Sequence, residues 1–479
     1  MEKGLRYYKI DYWLLFIYLA LIMTGWLNIY SALYVEEYSS IFDISQRYGM
    51  QFIWIIASFI IGAAIIFFIN PKIYSVLSPL IYFATLFLLV AVIFAGKEIN
   101  GSHSWFVLGP VSFQPAEISK ISTSLFLAYI MSRYGFRLTK WRNFAIIATV
   151  ILIPMFFIIM EKETGSALVY TGFIFMLYRE GLSGWFISFG LLTILLFVVT
   201  LAFSPLASII TVTAIMTIIN GAMSRKPATH LLIATPVLTL IGCIPYIMSQ
   251  EFMGFATNFY SKLGAEYWAL ILLVPLLIYA IRFSIKKKWN HTKYLVFSTF
   301  VAFALIFSVD FIFNNILQPH QRSRIENLLG IEEDLQGAGY NVHQSKIAIG
   351  SGGFWGKGFL NGTQTKYNFV PEQGTDFIFC TIGEEHGFVG SIAIIILYGF
   401  LIIRLIIVSE RQKDSFTRIY GYCIAACFFM HFFINTGMTM GLVPVIGIPL
   451  PFISYGGSSL LTFTAMLFIF LRLDLERWK

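Results

Sequence analysis

LQPHQRSRIENLLGIEEDLQGAGYNVHQSKIAIGSGGFWGKGFLNGTQTKYNFVPEQGTD, residues 317–376, is the one long polar interval in a very apolar chain. It carries three adjacent carboxylates (Glu332, Glu333, Asp334), glycines at six positions between Gly350 and Gly362, and several cations. A loop of this length is usually functional or disordered. Its content of Phe, Tyr, Trp and Ile argues for order. Soluble chemistry has its place here.

The surrounding chain explains why. Of 479 residues, 58% are hydrophobic and 12% charged, with mean hydropathy +0.76; soluble domains carry about 25% charged residues. Repeated apolar runs of about 20 residues predict an all-α, polytopic transmembrane helical bundle with a structured extracytoplasmic loop. The net charge of +8 does not point to nucleic acid, because the Lys and Arg residues sit in short loops between spans. Cys243, Cys380, Cys423 and Cys427 all fall in apolar segments, so neither a disulfide framework nor a zinc site is expected. The first apolar segment is too long for a cleavable signal peptide and lacks a small-residue cleavage site.

Fourteen spans are expected, near 12–33, 49–69, 75–95, 115–132, 144–160, 164–179, 184–203, 205–221, 230–248, 267–283, 294–312, 377–404, 419–438 and 454–472. With the N-terminus inside, Arg133, Arg137, Lys140, Arg142, Lys286, Lys287, Arg404, Arg411, Arg418 and Arg477 share one side. The loops at 34–48, 96–114, 249–266 and 439–453 are poor in Lys and Arg. The positive-inside rule then puts both termini in the cytoplasm and the loop 313–376 outside. Lys97 to Lys120 alternates apolar and polar residues and reads as a small hairpin, followed by a helix starting at Pro115. Gly441 to Ser459, with three prolines, reads as a re-entrant turn facing the loop.

Glu117 and Lys120 lie three residues apart on one helix face near the outer end of a span. Ionisable residues at membrane depth suggest function, although an interfacial pair that only orients the helix has the same spacing. Glu161, Lys162 and Glu163 sit at a short outer turn, as a solvated turn or a cavity mouth. The Gly350–Gly362 run is not a phosphate loop: Ser351 stands where a Gly is needed and Gly358 follows Lys357. Its glycines are expected to let backbone approach a polar head group, with Lys346 and Lys357 as phosphate contacts. A transfer between sugars needs a base for the attacking hydroxyl, and spacing alone does not separate Glu332, Glu333 and Asp334. The leaving group needs cations or a metal; a divalent cation (Mg or Mn) is the expected ion, at an unknown site, and no organic cofactor is called for. His103, His320, His343 and His386 lack ligand spacing.

GAGYNVHQSKIAIGSGGFWGKGFLNGTQ (337–364), FVPEQGTDFIF (369–379), GIPLPFISYGGSS (447–459) and WFVLGPVSFQPAEISK (105–120) closely resemble the SEDS family (shape, elongation, division and sporulation), in its RodA branch. The resemblance covers the N-terminal third and everything from about 317 onward. It implies a peptidoglycan glycosyltransferase in the bacterial cytoplasmic membrane that polymerises lipid II, an undecaprenyl-pyrophosphate-linked disaccharide peptide, for wall elongation and rod shape. A class B penicillin-binding protein transpeptidase and the elongation machinery are the implied partners. Asp334 matches the family's essential loop aspartate, and Glu117 and Lys120 match its charged pair beside the central cavity. Within the matched motifs Gln344, Ser345 and Asp376 join Lys346 and Lys357 as expected substrate contacts. The family's Gln-Pro-Asp-Leu-Gly-Thr turn stands here as Glu161-Lys162-Glu163-Thr164-Gly165-Ser166, and Gly374 replaces a usual His. Against the family's ten spans, the excess suggests a core at 1–183, inserted helices at 184–293 and a second core part at 294–479 holding the catalytic loop. A lipid II flippase is the competing reading; it calls for charges through the full membrane depth.

Overall fold

The computed structural model describes residues 10–34, 40–99, 102–108, 111–203, 205, 207–212, 215, 290–315, 317, 319–331, 339–367 and 369–478. The expected spans at 230–248 and 267–283, most of 205–221, and Glu332, Glu333 and Asp334 lie outside them. The chain forms two compact units, one of residues 1–183 with 335–479, the other of residues 184–334.

In the first unit, α1 (Tyr12–Ala32), α2 (Arg47–Phe68) and α3 (Pro71–Ala95) are followed by a small antiparallel sheet of β1 (Lys97–Ile99), β2 (Ser102–Leu108) and β3 (Val111–Phe113). Phe106 pairs with Phe113 and Lys97 with Trp105 across it. Next come α4 (Pro115–Met131), α5 (Trp141–Met160), α6 (Thr164–Tyr170) and α7 (Phe173–Arg179). The second unit contains α8 (Trp185–Ala202), α9 (Asn290–Asn315) and α10 (Pro319–Leu329), with a small core of Leu196, Ile209, Val212, Ala302, Phe303 and Ile306. The first unit resumes with α11 (Tyr340–Ser351), α12 (Thr363–Lys366), α13 (Ile378–Glu410), α14 (Ser415–Thr439) and α15 (Gly457–Leu475).

Among the described residues eight helices are long and apolar enough to cross a membrane. Their starts follow local chemistry. Asp11 and Asp414 accept backbone N–H groups at the first turns of α1 and α14, and Asn70 with Pro71 opens α3. Helix α4 begins at Pro115, as its sequence predicts. Two expected spans are interrupted. The 164–179 segment is two short helices parted at Thr171 and Gly172. Helix α13 breaks at Gly387, whose φ of 63° and ψ of −155° are not helical.

Helix α14 is buried over most of its length, whereas α5 buries one stripe, Ile147, Val150, Pro154 and Ile158, and turns the rest outward. Helix α4 packs on α3 and α14, α2 on α15, and α1 on α13. One end of this unit is tied by ion pairs. Asp11 binds Arg404 at 2.8 Å and Arg411 at 2.9 Å; Arg411 also reaches Asp474 at 3.0 Å. Arg418 pairs with Glu180 at 3.1 Å and Arg179 with Glu410 at 2.6 Å. Arg411 thus joins the start of α1 to the end of α15, so residues 11 and 474 lie at one end of the unit.

Burial works against the Asp11 charge. The bonds from Arg404 and the Leu14 N–H, with the charges of Arg404 and Arg411, outweigh it and hold the carboxyl below its ordinary value. A depressed pKa contributes stability that is present above the unfolded value and lost as pH falls through the folded one. Asp11→Ala strands Arg404 and leaves Arg411 to Asp474 alone, and is expected to cost about 3 kcal/mol. A thermal melt in detergent checks this; an unchanged melting temperature contradicts it.

Candidate active site

The first turns of α4 read PAEISKISTS, and Glu117, Ser119, Lys120, Ser122, Thr123 and Ser124 are all buried. The helix turns its polar face into the protein. Lys120 Nζ donates to Glu117 Oε1 at 2.6 Å, the two side chains being 0% and 3% exposed. The same ammonium lies 2.8 Å from His431 Nε2 and 5.4 Å from the Phe463 ring centre. His431 Nδ1 lies 3.2 Å from the Pro449 carbonyl oxygen. A buried ion pair pays for desolvation unless further hydrogen bonds offset it, and here a third group supplies one.

Pro449 belongs to the irregular run between α14 and α15, which threads the interior as its prolines predict. Its backbone groups find protein partners there. Asn435 Nδ2 donates to the carbonyls of Ile448 at 2.7 Å and Asp376 at 2.8 Å. Ser454 Oγ donates to the Thr375 carbonyl at 2.6 Å, and the Tyr455 N–H to that of Gly374 at 2.9 Å. Gln373 Nε2 binds the Ala32 carbonyl at 2.6 Å. Gly25 makes room in α1: a Cβ there would lie 2.6 Å from Ile453 Cα and 2.7 Å from the Phe452 carbonyl oxygen. The end of the polar loop, 371–376, is therefore sewn to this run. Among the described residues, the non-glycine positions with left-handed φ are Lys162, Leu360, Glu372 and Phe452, all in these outer segments. Such strain gathers at functional sites.

The acidic turn between α5 and α6 joins the same region. Glu163 accepts from Ser102 Oγ at 3.1 Å and Ser104 Oγ at 2.9 Å, both on β2. Glu161 is 1% exposed and neither of its oxygens has a protein partner. Burial first, and then the charge of Glu163, push its carboxyl up to about 8. Asp376, half-buried, is pushed up to about 7 by burial and then by Glu372 and Glu163. Gln114 Nε2, Glu117 Oε2 and Asn435 Oδ1 are likewise buried without a protein partner. Buried polar atoms are normally satisfied. This concentration of unpartnered hydrogen-bonding groups marks the region as a candidate polar binding site.

The loop's glycines serve a different contact from the one expected. A Cβ on Gly352 would collide with the Gly383 carbonyl, and one on Gly356 with the Glu385 carbonyl. These two let the loop backbone meet the broken part of α13. Lys357 N and Gly358 N donate to the carbonyls of Glu384 at 3.0 Å and Glu385 at 2.9 Å, and Phe388 N to that of Gly353 at 2.9 Å. The break at Gly387 frees the groups that make these bonds. Lys357 Nζ binds the buried Glu384 carboxylate at 2.7 Å, so its charge is already matched by a carboxylate. Glu384 also accepts from Gln364 N, Thr365 N and Thr365 Oγ1. Ser345 is buried and donates to the Thr439 carbonyl at 2.9 Å. Lys346 is exposed beside Gly441, and Gln344 is half-buried.

Glu117 and Lys120 are linked to the 371–376 segment through His431 and the irregular run, where Asn435 holds the Asp376 carbonyl. Ser345, Lys346 and Lys357 lie along the loop, and Asp334 is outside the described residues. His431 and Asn435 were not expected; a histidine and an asparagine one turn apart in an apolar span were the available signal. Among the described residues no three His, Cys, Asp or Glu side chains converge to hold a metal. No step is derived through one.

Raised carboxyl pKa values make stability fall with pH. The contribution of Glu161 is complete below its unfolded value of 4.5 and is lost as pH rises through about 8; that of Asp376 declines between 3.8 and about 7. Melting temperature is expected to drop between pH 6 and pH 9, and Glu161→Gln to flatten the part above pH 7 (about two pH units of the window). An unaltered slope in that variant removes Glu161 from the account.

The profile of the FtsW/RodA/SpoVE family of cell cycle proteins matches residues 12–222 and 268–479. The peptidoglycan glycosyltransferase RodA of Treponema pallidum (strain Nichols) is 28% identical over 456 residues, 94% of each chain. The peptidoglycan glycosyltransferase MrdB of Escherichia coli (strain K12) is 29% identical over 398 residues, 83% of this chain and 77% of that one. Among solved structures, a chain of a peptidoglycan synthase complex superposes with a TM-score of 0.62 at 22% identity, covering 98% of this chain and 99% of that one. The rod shape-determining protein RodA of Thermus thermophilus superposes with a TM-score of 0.55 at 20% identity over both chains entirely. Matched by the family profile over most of its length, this multi-pass membrane protein belongs to the FtsW/RodA/SpoVE family.

Proposed function

We propose that the chain polymerises lipid II into glycan strands at the outer face of the bacterial cytoplasmic membrane, as a peptidoglycan glycosyltransferase. The observation that carries the reading is the set of buried polar groups at one end of the first unit, the Glu117–Lys120 pair and the unpartnered Glu161 carboxyl among them. The RodA and MrdB relatives bear the same activity in their names. In the proposed step the acceptor sugar hydroxyl attacks the donor's anomeric carbon. Asp334 takes the hydroxyl proton, the bond from sugar to pyrophosphate breaks, and the polyprenyl pyrophosphate leaves with the bonding electrons. Lys120 and Lys346 offset the charge on the pyrophosphate. Lys357 orders the loop through Glu384.

The arginine-rich end is the side we assign to the cytoplasm by the positive-inside rule, with Asp11 and Asp474 on it, in keeping with cytoplasmic termini. A class B penicillin-binding protein is the proposed crosslinking partner, in keeping with the structural likeness to a chain of a peptidoglycan synthase complex. The test is polymer formation from purified lipid II in liposomes, for the wild type and Asp334→Asn, each with and without that partner. Wild type is expected to make polymer and the Asn form to lose 100-fold or more, in the range of general-base catalysis of about 10²–10⁴. Equal polymer from both overturns the base assignment. Lipid II crossing the bilayer without polymer, partner present, turns the reading to a flippase.

A further inference from the structure

The group that closes the Glu117–Lys120 pair comes from a different helix. His431 lies in α14, is 0% exposed, and sets its ring edge on Phe463 at 4.8 Å between centres and 83° between planes. The Pro449 carbonyl oxygen can only accept a hydrogen bond, so Nδ1, 3.2 Å away, carries the ring hydrogen. Nε2 is then a bare lone pair, 2.8 Å from an ammonium that can only donate. Two acceptors and an aromatic ring thus surround the Lys120 head, and Glu117 keeps its second oxygen without a partner.

The relay does not end at the ring. Pro449 sits next to Ile448, whose carbonyl Asn435 holds, and five residues before Ser454, which holds the Thr375 carbonyl. Moving His431 therefore moves a buried cation on one side and the anchor of the polar loop on the other. A lysine stem is flexible, and an electrostatic site depends on charges held before the reaction begins.

We propose that His431 is a positioning residue: by accepting from Lys120 and donating to the Pro449 carbonyl, it fixes the buried ammonium beside Glu117 and couples it to the segment that anchors the polar loop. The activity readout rests on the glycosyltransferase reading; the spectroscopic one does not. His431→Gln keeps an oxygen for Lys120 and an N–H for Pro449, whereas His431→Met fills similar volume and supplies neither.

In liposomes with lipid II, the Met form, melting near the wild-type temperature, is expected to lose about 100-fold in polymerisation rate, the scale of a misplaced reacting group. The Gln form stays within about tenfold of wild type by the same reasoning. Equal rates for the two forms overturn the proposal. In ¹⁵N-histidine-labelled wild type, the His431 resonance, assigned by its loss in His431→Gln, is expected to show a protonated Nδ1 and a bare Nε2. That Nε2 signal moves in Lys120→Met. A hydrogen on Nε2, or a signal indifferent to Lys120→Met, overturns the relay even if the Met form does not fold. No polymer from any form, wild type included, with the expected spectrum, sinks the glycosyltransferase reading and leaves the relay standing.

Discussion

A polar group inside a bilayer has no water to bond, and one end of the first unit is arranged around that constraint. The run between α14 and α15 carries irregular backbone through the interior. It survives because Asn435, Ser454, His431 and the Gly374 carbonyl take up its groups one by one. The same bonds fasten the end of the polar loop, so the stability of the bundle and the placement of the loop are one problem. Gly25, with no side chain, is what lets α1 lie against that run.

The two ends of the first unit treat charge in opposite ways. At the arginine-rich end each acid has its base: Asp11 serves Arg404 and Arg411, and Asp474 takes Arg411 and Gln412. That end is closed electrostatically. At the other end Glu161, Glu117, Gln114 and Asn435 keep buried atoms with no protein partner, and Glu161, Glu163 and Asp376 share a small region. Capacity left unspent in a low-dielectric setting is costly, and a polar ligand recovers that cost. Arg411 Nε also lacks a protein partner, but the unpartnered carboxyl oxygens lie at the other end, which favours binding there.

Much of this was legible in the sequence, because apolar length is a strong signal. The segments read at 12–33, 75–95, 115–132 and 419–438 fold as Tyr12–Ala32, Pro71–Ala95, Pro115–Met131 and Ser415–Thr439. The strands before Pro115 and the irregular proline-rich run were also visible, from alternation and from helix breakers. The interruptions at Gly172 and Gly387 were not read: Gly172 lies in an apolar pattern, and the break at Gly387, just after Glu384, Glu385 and His386, depends on what packs against it. Gly387 breaks its helix where Gly353 and Gly356 bring in the loop backbone, a partnership between segments some 30 residues apart. For the same reason the packing of Gly352 and Gly356 on α13 could not be read from the glycine run. At the site, the spacing of Glu117 and Lys120 announced an ion pair, but His431 lies 311 residues from Lys120, and only folding joins them.

The most direct test of where the chemistry occurs is a structure of the full chain in a lipid nanodisc with lipid II bound. Density for the sugar and pyrophosphate head group is expected between the Glu161–Glu163 turn and the 371–376 segment, with a head-group oxygen within hydrogen-bond reach of Glu161 or Lys120. Head-group density at the Asp11–Arg411 end, or a site left without density at saturating lipid II, contradicts the account.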